Sequence, residues 1–182
     1  ENAILGHDGI FGITEAEWEV HKEREAAAAR QEKLEQDSAE KIDETLLLHG
    51  ESRRFAIYQM DSGDEHTYQF MGIESAKSLG YTIDGKDYRM VYAAPWMPTI
   101  TLENIFERFN IDRPEDFRGH SLSVSDVIVI NRGAEITAYY VDSFGFQELP
   151  EFVQQRMNIL EHNSVRAYPP VYKGTLEQAM GE

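Results

Sequence analysis

Residues 16–48 contain neither proline nor glycine. Ala, Glu, Lys, Gln and Arg dominate the run, and all are strong helix formers. Thr14 is a good N-cap, Glu17 three residues later completes a capping box, and Gly50 is a natural stop. The stretch therefore reads as one long helix, so any compact domain has to be built from the residues after it. Its apolar stripe is thin. Val20, Ala27 and Leu34 stand seven apart, while Trp18 and Ile42 are scattered. A coiled-coil seam needs two apolar positions per heptad, and the second is mostly missing. The helix reads as a solvated spacer or packing helix ahead of a dimerising or partner-binding one. Before it, residues 1–12 hold Gly6, Gly9 and Gly12 and read as a loop.

Charge is distributed as unevenly as helix propensity. Residues 1–52 carry 14 acidic and 5 basic side chains, net −9, out of −16 for all 182 residues. A chain this acidic does not suit a general binder of phosphate backbones, which needs a basic face. It permits the converse idea, an acidic surface that imitates nucleic acid and fills a basic groove on another protein. No apolar run approaches the ~20 residues of a membrane span, and no secretory signal is seen. The absence of cysteine excludes disulfides and thiolate chemistry but fixes no compartment. Beginning at Glu1 rather than at methionine, the chain reads as a piece of a longer one.

Beyond the helix, 52–162 reads as a compact domain of order ββα-ββ-α-ββ-α. RRFAIYQM (53–60) is a strand, Asp61–Asp64 a turn and His66–Phe70 a return strand. Ile73–Leu79 is a short helix stopped by Gly80. Tyr81–Ile83 and Tyr88–Ala93 flank Asp84-Gly85, a hairpin signal. Thr101 caps a helix with Leu102, Ile105, Phe106 and Phe109 on one face, the i, i+3, i+4, i+7 pattern of burial. Pro114–Phe117 is a helical turn. Val127–Ile130 is continuously apolar and reads as a buried central strand, which Asn131–Gly133 turns into Glu135–Val141. Pro150 suits the first turn of a helix burying Phe152, Val153, Met157 and Leu160. Residues 163–182, with Pro169-Pro170 and a helix-prone run at 175–180, read as a linker or tail. Hairpins join most strands, so the expected class is α+β: a mostly antiparallel sheet with two or three packing helices, preceded by the long acidic helix.

Chemistry concentrates in Arg118-Gly119-His120-Ser121-Leu122-Ser123-Val124-Ser125-Asp126 and in Tyr140-Val141-Asp142-Ser143. If the first stretch is extended, its serines share one face, with Leu122 and Val124 on the other. Pairing about the 131–133 turn would carry Asp142 toward residues 121–123. That predicts a polar cluster of Arg118, His120 and Asp142 with Ser121 or Ser123, alongside Asp126 and Ser143. A Ser-His-Asp arrangement could be assembled from these, but no Gly-x-Ser-x-Gly elbow accompanies them. The plainer reading is a structural clasp in which Ser and Asp side chains satisfy backbone groups before a buried strand. No cofactor is expected. The six histidines lack ligand spacing, so no metal is expected either, and Asp61, Asp64, Glu65 and His66 read as a solvated turn. Trp96 and Met97 between two prolines, and Phe144 and Phe146 around Gly145, are candidate interaction loops, or lids on the core.

Three segments carry a resemblance: TLENIFERFN, IDRPEDFRGHSLSVSDVIVI and TAYYVDSFGFQELPEF, with FAIYQM and YRMVYAA before them. Over about 53–154 the chain resembles the YodL-like domain family. The matching signature is Phe109, Asn110, Asp112, Pro114, Asp116, Phe117, Arg118, Gly119, His120, Ser121, Ser123, Asp126, Tyr140, Asp142, Ser143, Phe144, Gly145 and Phe146. The resemblance implies a bacterial, intracellular setting and proteins of conjugative and other mobile elements, the Pro-Pro tail being similar to a connector between domains. It transfers no enzymatic activity, cofactor or catalytic residue. The favoured function is therefore a non-catalytic protein-interaction module, cytoplasmic, with an unidentified protein partner, no membrane and no direct nucleic-acid contact, one candidate role being to counter host defence. The alternatives are a hydrolase or nuclease-like enzyme using His120 with a nearby Ser or Asp142, and the acidic nucleic-acid mimic.

Overall fold

The computed structural model describes residues 3–5, 12–61 and 67–167, and the chain divides into two units, Glu1–Ile42 and Asp43–Glu182. In the first, β1 (Ala3–Leu5) and β2 (Gly12–Thr14) pair antiparallel. For these residues the loop reading is corrected to a small ribbon. The helix α1 spans Glu15–His49, entering the second unit at its last turns. The Thr14 hydroxyl accepts from the Glu17 N–H at 3.2 Å, and the Glu17 carboxylate accepts from the Thr14 N–H at 2.8 Å. That is the capping box expected from the residue spacing. Every residue from 14 to 35 is exposed, as a thin apolar stripe requires.

The second unit holds β3 (Arg54–Gln59), α2 (Ile73–Ser78), a 3-10 turn at Gly85–Asp87, β4 (Arg89–Pro95) and α3 (Leu102–Ile111). β5 (Val127–Asn131), β6 (Ile136–Val141), β7 (Phe146–Glu148) and α4 (Phe152–Ala167) complete it. The sheet runs β4-β3-β5-β6-β7 with every neighbouring pair antiparallel. The class is α+β. β5, buried at all five positions, lies at the centre.

Alternation along the strands builds two apolar layers. Ala56, Tyr58, Val127, Val129, Ala138 and Tyr140 face one side, covered by Ile73 and Ala76 of α2, Phe152 and Leu160 of α4, and Leu47 and Leu48 of α1. Phe55, Ile57, Ile128, Ile130 and Val141 face the other, covered by Ile105 and Phe109 of α3 and by Leu122. On the first side the Glu44 carboxylate receives Arg156 Nε at 2.7 Å, Arg156 Nη2 at 3.0 Å and the Tyr58 hydroxyl at 3.0 Å. Arg156 Nη1 donates to Gly85 O and Tyr88 O at 3.0 and 2.9 Å. The end of α1 is thus bonded into the sheet's core, upstream of residue 52, and α4 runs past residue 162.

Several local expectations are corrected. Residues 67–70 are bend and turn rather than a return strand, while His66 of that reading and 62–64 of the preceding turn reading lie outside the described residues, as does the tail from 168. Tyr81–Ile83 is not a strand. Gly80, at φ 87°, closes α2, and the Tyr81 N–H returns to Ala76 O at 3.0 Å. Asp84 then accepts from the Lys86 N–H at 3.0 Å and caps the 3-10 turn. β4 finds its partner in β3 instead. Phe106 is 38% exposed while Ile105 and Phe109 are buried, so the covered face of α3 is narrower than the spacing suggested.

Candidate functional site

The sheet ends where β5 begins, and the polar residues gather there. Gln59 closes β3 with its side chain on the α3 side. Its amide donates to His120 O at 2.8 Å and to Asp126 Oδ2 at 3.0 Å, while its carbonyl accepts from the His120 N–H at 3.1 Å. Those bonds need the amide to lie against the backbone of Gly119. A Cβ at that position would run into Gln59 Oε1, so any larger residue there would force the Gln59 amide to shift out of these bonds. Asp126 Oδ2 also accepts from the Ser123 N–H at 2.7 Å. Its other oxygen faces His120 Nε2 at 3.9 Å, with side-chain exposures of 1% for Asp126 and 33% for His120. Burial pushes the Asp126 carboxyl up to about 7, against the lowering pull of the Ser123 N–H, His120 and Gln59.

The serines do not form a common face. Residues 124–125 make a turn, and Ser125 takes left-handed backbone at φ 82°. Its buried hydroxyl accepts from the Phe70 N–H at 2.8 Å, and its carbonyl accepts from the Tyr88 hydroxyl at 2.6 Å. The Ser123 hydroxyl donates to Ser121 O at 2.9 Å. Both hydroxyls are thus spent on the backbone. Asp142 is used elsewhere as well: its Oδ1 accepts from the Ile73 N–H at 3.1 Å, at the start of α2, and from the Ser143 N–H at 2.8 Å. The carboxylate set beside His120 is that of Asp126. Among the described residues no three His, Cys, Asp or Glu side chains gather as metal ligands do.

The candidate aromatic loops lie at opposite ends of the sheet. The Trp96 N–H bonds Arg53 O at 3.0 Å, at the Asn131 end, whereas Phe146 pairs with Val141 at the other. Trp96 folds back: its indole donates to Ile100 O at 3.0 Å, and the Arg132 guanidinium sits 5.5 Å from its ring. Met97 and Phe144 stay exposed, Phe144 at 93%. An apolar groove of about 380 Å³ opens between β4 and α3, lined by Phe55, Tyr92, Ala94, Ile100, Ile105 and Phe109 with Arg108 at its side.

A protein-family model, the YodL-like domain, matches residues 54–152. The chain belongs to the YodL-like domain family. The matched span contains the whole sheet, the Gln59–His120–Asp126 knot and the groove. The searches of curated proteins and of solved structures each return no match. Among the described residues of this YodL-like chain, no helix is long and apolar enough to cross a membrane.

Three polar residues escaped sequence reasoning. Gln59 is a polar residue closing an otherwise apolar strand. Arg156 stands between Phe152 and Leu160 on the buried stripe of α4, and Glu44 shares a helical face with Leu47 and Leu48. A charge on an apolar stripe was the signal for the last two. Such a residue is paired when buried.

Proposed function

We propose that the YodL-like domain is a non-catalytic protein-interaction module of a bacterial mobile-element protein. It works in the cytoplasm and takes an extended apolar segment of a partner protein into the groove between β4 and α3. The groove carries the reading. Its walls are mostly apolar, with Asn104 and Arg108 the polar exceptions, its volume of about 380 Å³ suits a few side chains, and it runs beside β4, an edge strand of the sheet. Recognition by adding a strand at a sheet edge draws affinity from main-chain bonds and selectivity from such a side pocket. The polar residues support the same reading from the other direction. The Ser123 and Ser125 hydroxyls are bonded to backbone, so neither is held as a nucleophile for His120.

The test is affinity capture from bacterial lysate with the wild-type chain and with Ala94→Lys, which sets a cation in the groove. A stoichiometric partner held by the wild type and lost by Ala94→Lys, at unchanged melting temperature, is the expected result. Equal recovery by both, or by neither, overturns the reading.

A further inference from the structure

His120 Nδ1 lies 2.7 Å from Ser121 O. The Gln59 amide nitrogen also lies 3.3 Å from Nδ1, but a carbonyl only accepts, so the shorter contact is a hydrogen bond only with the hydrogen on Nδ1. The two hydrogens of the Gln59 amide are already given to His120 O and Asp126 Oδ2. What remains is His120 Nε2 facing Asp126 Oδ1 at 3.9 Å, both atoms buried and neither with a hydrogen-bond partner. With imidazole neutral and carboxyl ionised, both are acceptors. Two buried acceptors aimed at each other are the arrangement that folded proteins avoid. A proton on either atom turns the pair into donor and acceptor.

We propose that His120 Nε2 and Asp126 Oδ1 are a binding site for one shared proton, and that its loss releases residues 118–126 from Gln59 together with the Phe70 cover above them. The surroundings fit that role. The Phe70 ring lies 5.6 Å from the imidazole and is itself 59% exposed, so it covers His120 without being locked into the core. Gln59, from β3, is neutral. Tyr88, just before β4, and Tyr140, from β6, interact electrostatically with the carboxyl, and burial pushes both phenols up, so neither carries charge near neutrality. Arg118, two residues before His120, is a guanidinium and stays charged. The geometry leaves the facing His120 and Asp126 atoms as the place for a proton. The raised Asp126 carboxyl agrees with a proton retained there.

The full chain, labelled with ¹⁵N and ¹³C, is titrated by NMR while the His120 ring nitrogens and the Asp126 carboxyl carbon are followed. Backbone hydrogen exchange of residues 117–126 is read at about pH 5.5 and about pH 8, either side of neutrality, and corrected for intrinsic chemistry. The two side chains should share a common midpoint, and exchange of the segment should rise about tenfold at the higher pH, the effect of one unit of proton affinity. Asp126→Asn holds the position of a protonated carboxyl and should abolish that rise. Independent midpoints with Asp126 near its ordinary value overturn the proposal, as does a rise that persists in Asp126→Asn. Should that variant not fold, the wild-type midpoints alone decide.

Discussion

The backbone N–H of Phe70 donates to the Ser125 hydroxyl at 2.8 Å, and both residues hold left-handed backbone, at φ 65° and 82°. Among the described residues they are the two non-glycine residues with positive φ. Each is strained by roughly 1–2 kcal/mol for an L-residue, and the bond between them ties the strained loop to the strained turn.

Ser125→Ala keeps the strain and leaves the Phe70 N–H without its acceptor, so it should cost about 1–3 kcal/mol. Ser125→Gly loses the same acceptor but relieves the backbone, so it should be the milder of the two by about 1 kcal/mol. Urea melts of both variants measure the difference. A glycine variant as unstable as the alanine one contradicts the strain argument.

Arg156→Met leaves Glu44 buried without its cation and should cost about 3–5 kcal/mol. Adding Glu44→Leu should recover part of that loss, because the orphaned charge goes with it. A double-mutant cycle of denaturant melts gives the coupling energy, and strictly additive losses would show that the pair does not act as a unit.

Phe109→Ala should cost about 3–5 kcal/mol, since its ring is buried against Phe55, Tyr92 and Phe117. Phe106→Ala, on the exposed shoulder of α3, should cost about 1 kcal/mol or less. The order of the two melting temperatures checks the helix face directly.

The Asp126 carboxyl is raised in the folded chain, from 3.8 to about 7. The folded state therefore holds a proton that the unfolded state has released between those values. Its contribution is fully present below about pH 4 and fades as pH rises to about 7. Asp126→Asn cannot lose that proton. Relative to wild type it should gain stability over this window, on the order of 2–4 kcal/mol in all. Paired thermal melts across the range test it, and a constant difference would refute it.

Gly119→Ala places a methyl group against the Gln59 amide, which must shift and give up its bonds to His120 and Asp126. The expected loss is about 1–3 kcal/mol. Gln59→Ala should then cost less in the Gly119→Ala background than alone.

Features governed by local sequence were legible. The capping box at Thr14, the cap at Thr101, the proline-free run of α1, the apolar block Val127–Ile130 and the turn at Asn131–Gly133 all depend on neighbours within a few residues. The candidate site was legible only as a region. His120 and Asp126 were both picked out, but Asp142 was expected beside His120 because strand pairing was carried too far. The ladder stops at Val141, whose N–H meets Asp126 O at 2.8 Å and whose carbonyl accepts from the Ser125 N–H at 2.9 Å, and the Asp142 carboxylate then bonds the start of α2. The positive φ of Ser125, which breaks the serine face, has no signature in a serine. Asp84-Gly85 failed as a hairpin signal because a cap and a turn ask for the same residue types.

The ion pair of Glu44 and Arg156 has a practical consequence for anyone who trims this chain. The family match, 54–152, stops short of both partners. A fragment cut there discards the two charges together, and with them the Leu47 and Leu48 cover of the sheet. A fragment of 52–162 is worse placed, since it retains a guanidinium shaped for an interior and throws away its carboxylate. The shortest piece that keeps both partners begins no later than Glu44 and continues past Arg156, so the unit that holds this pair is wider at both ends than the homologous one.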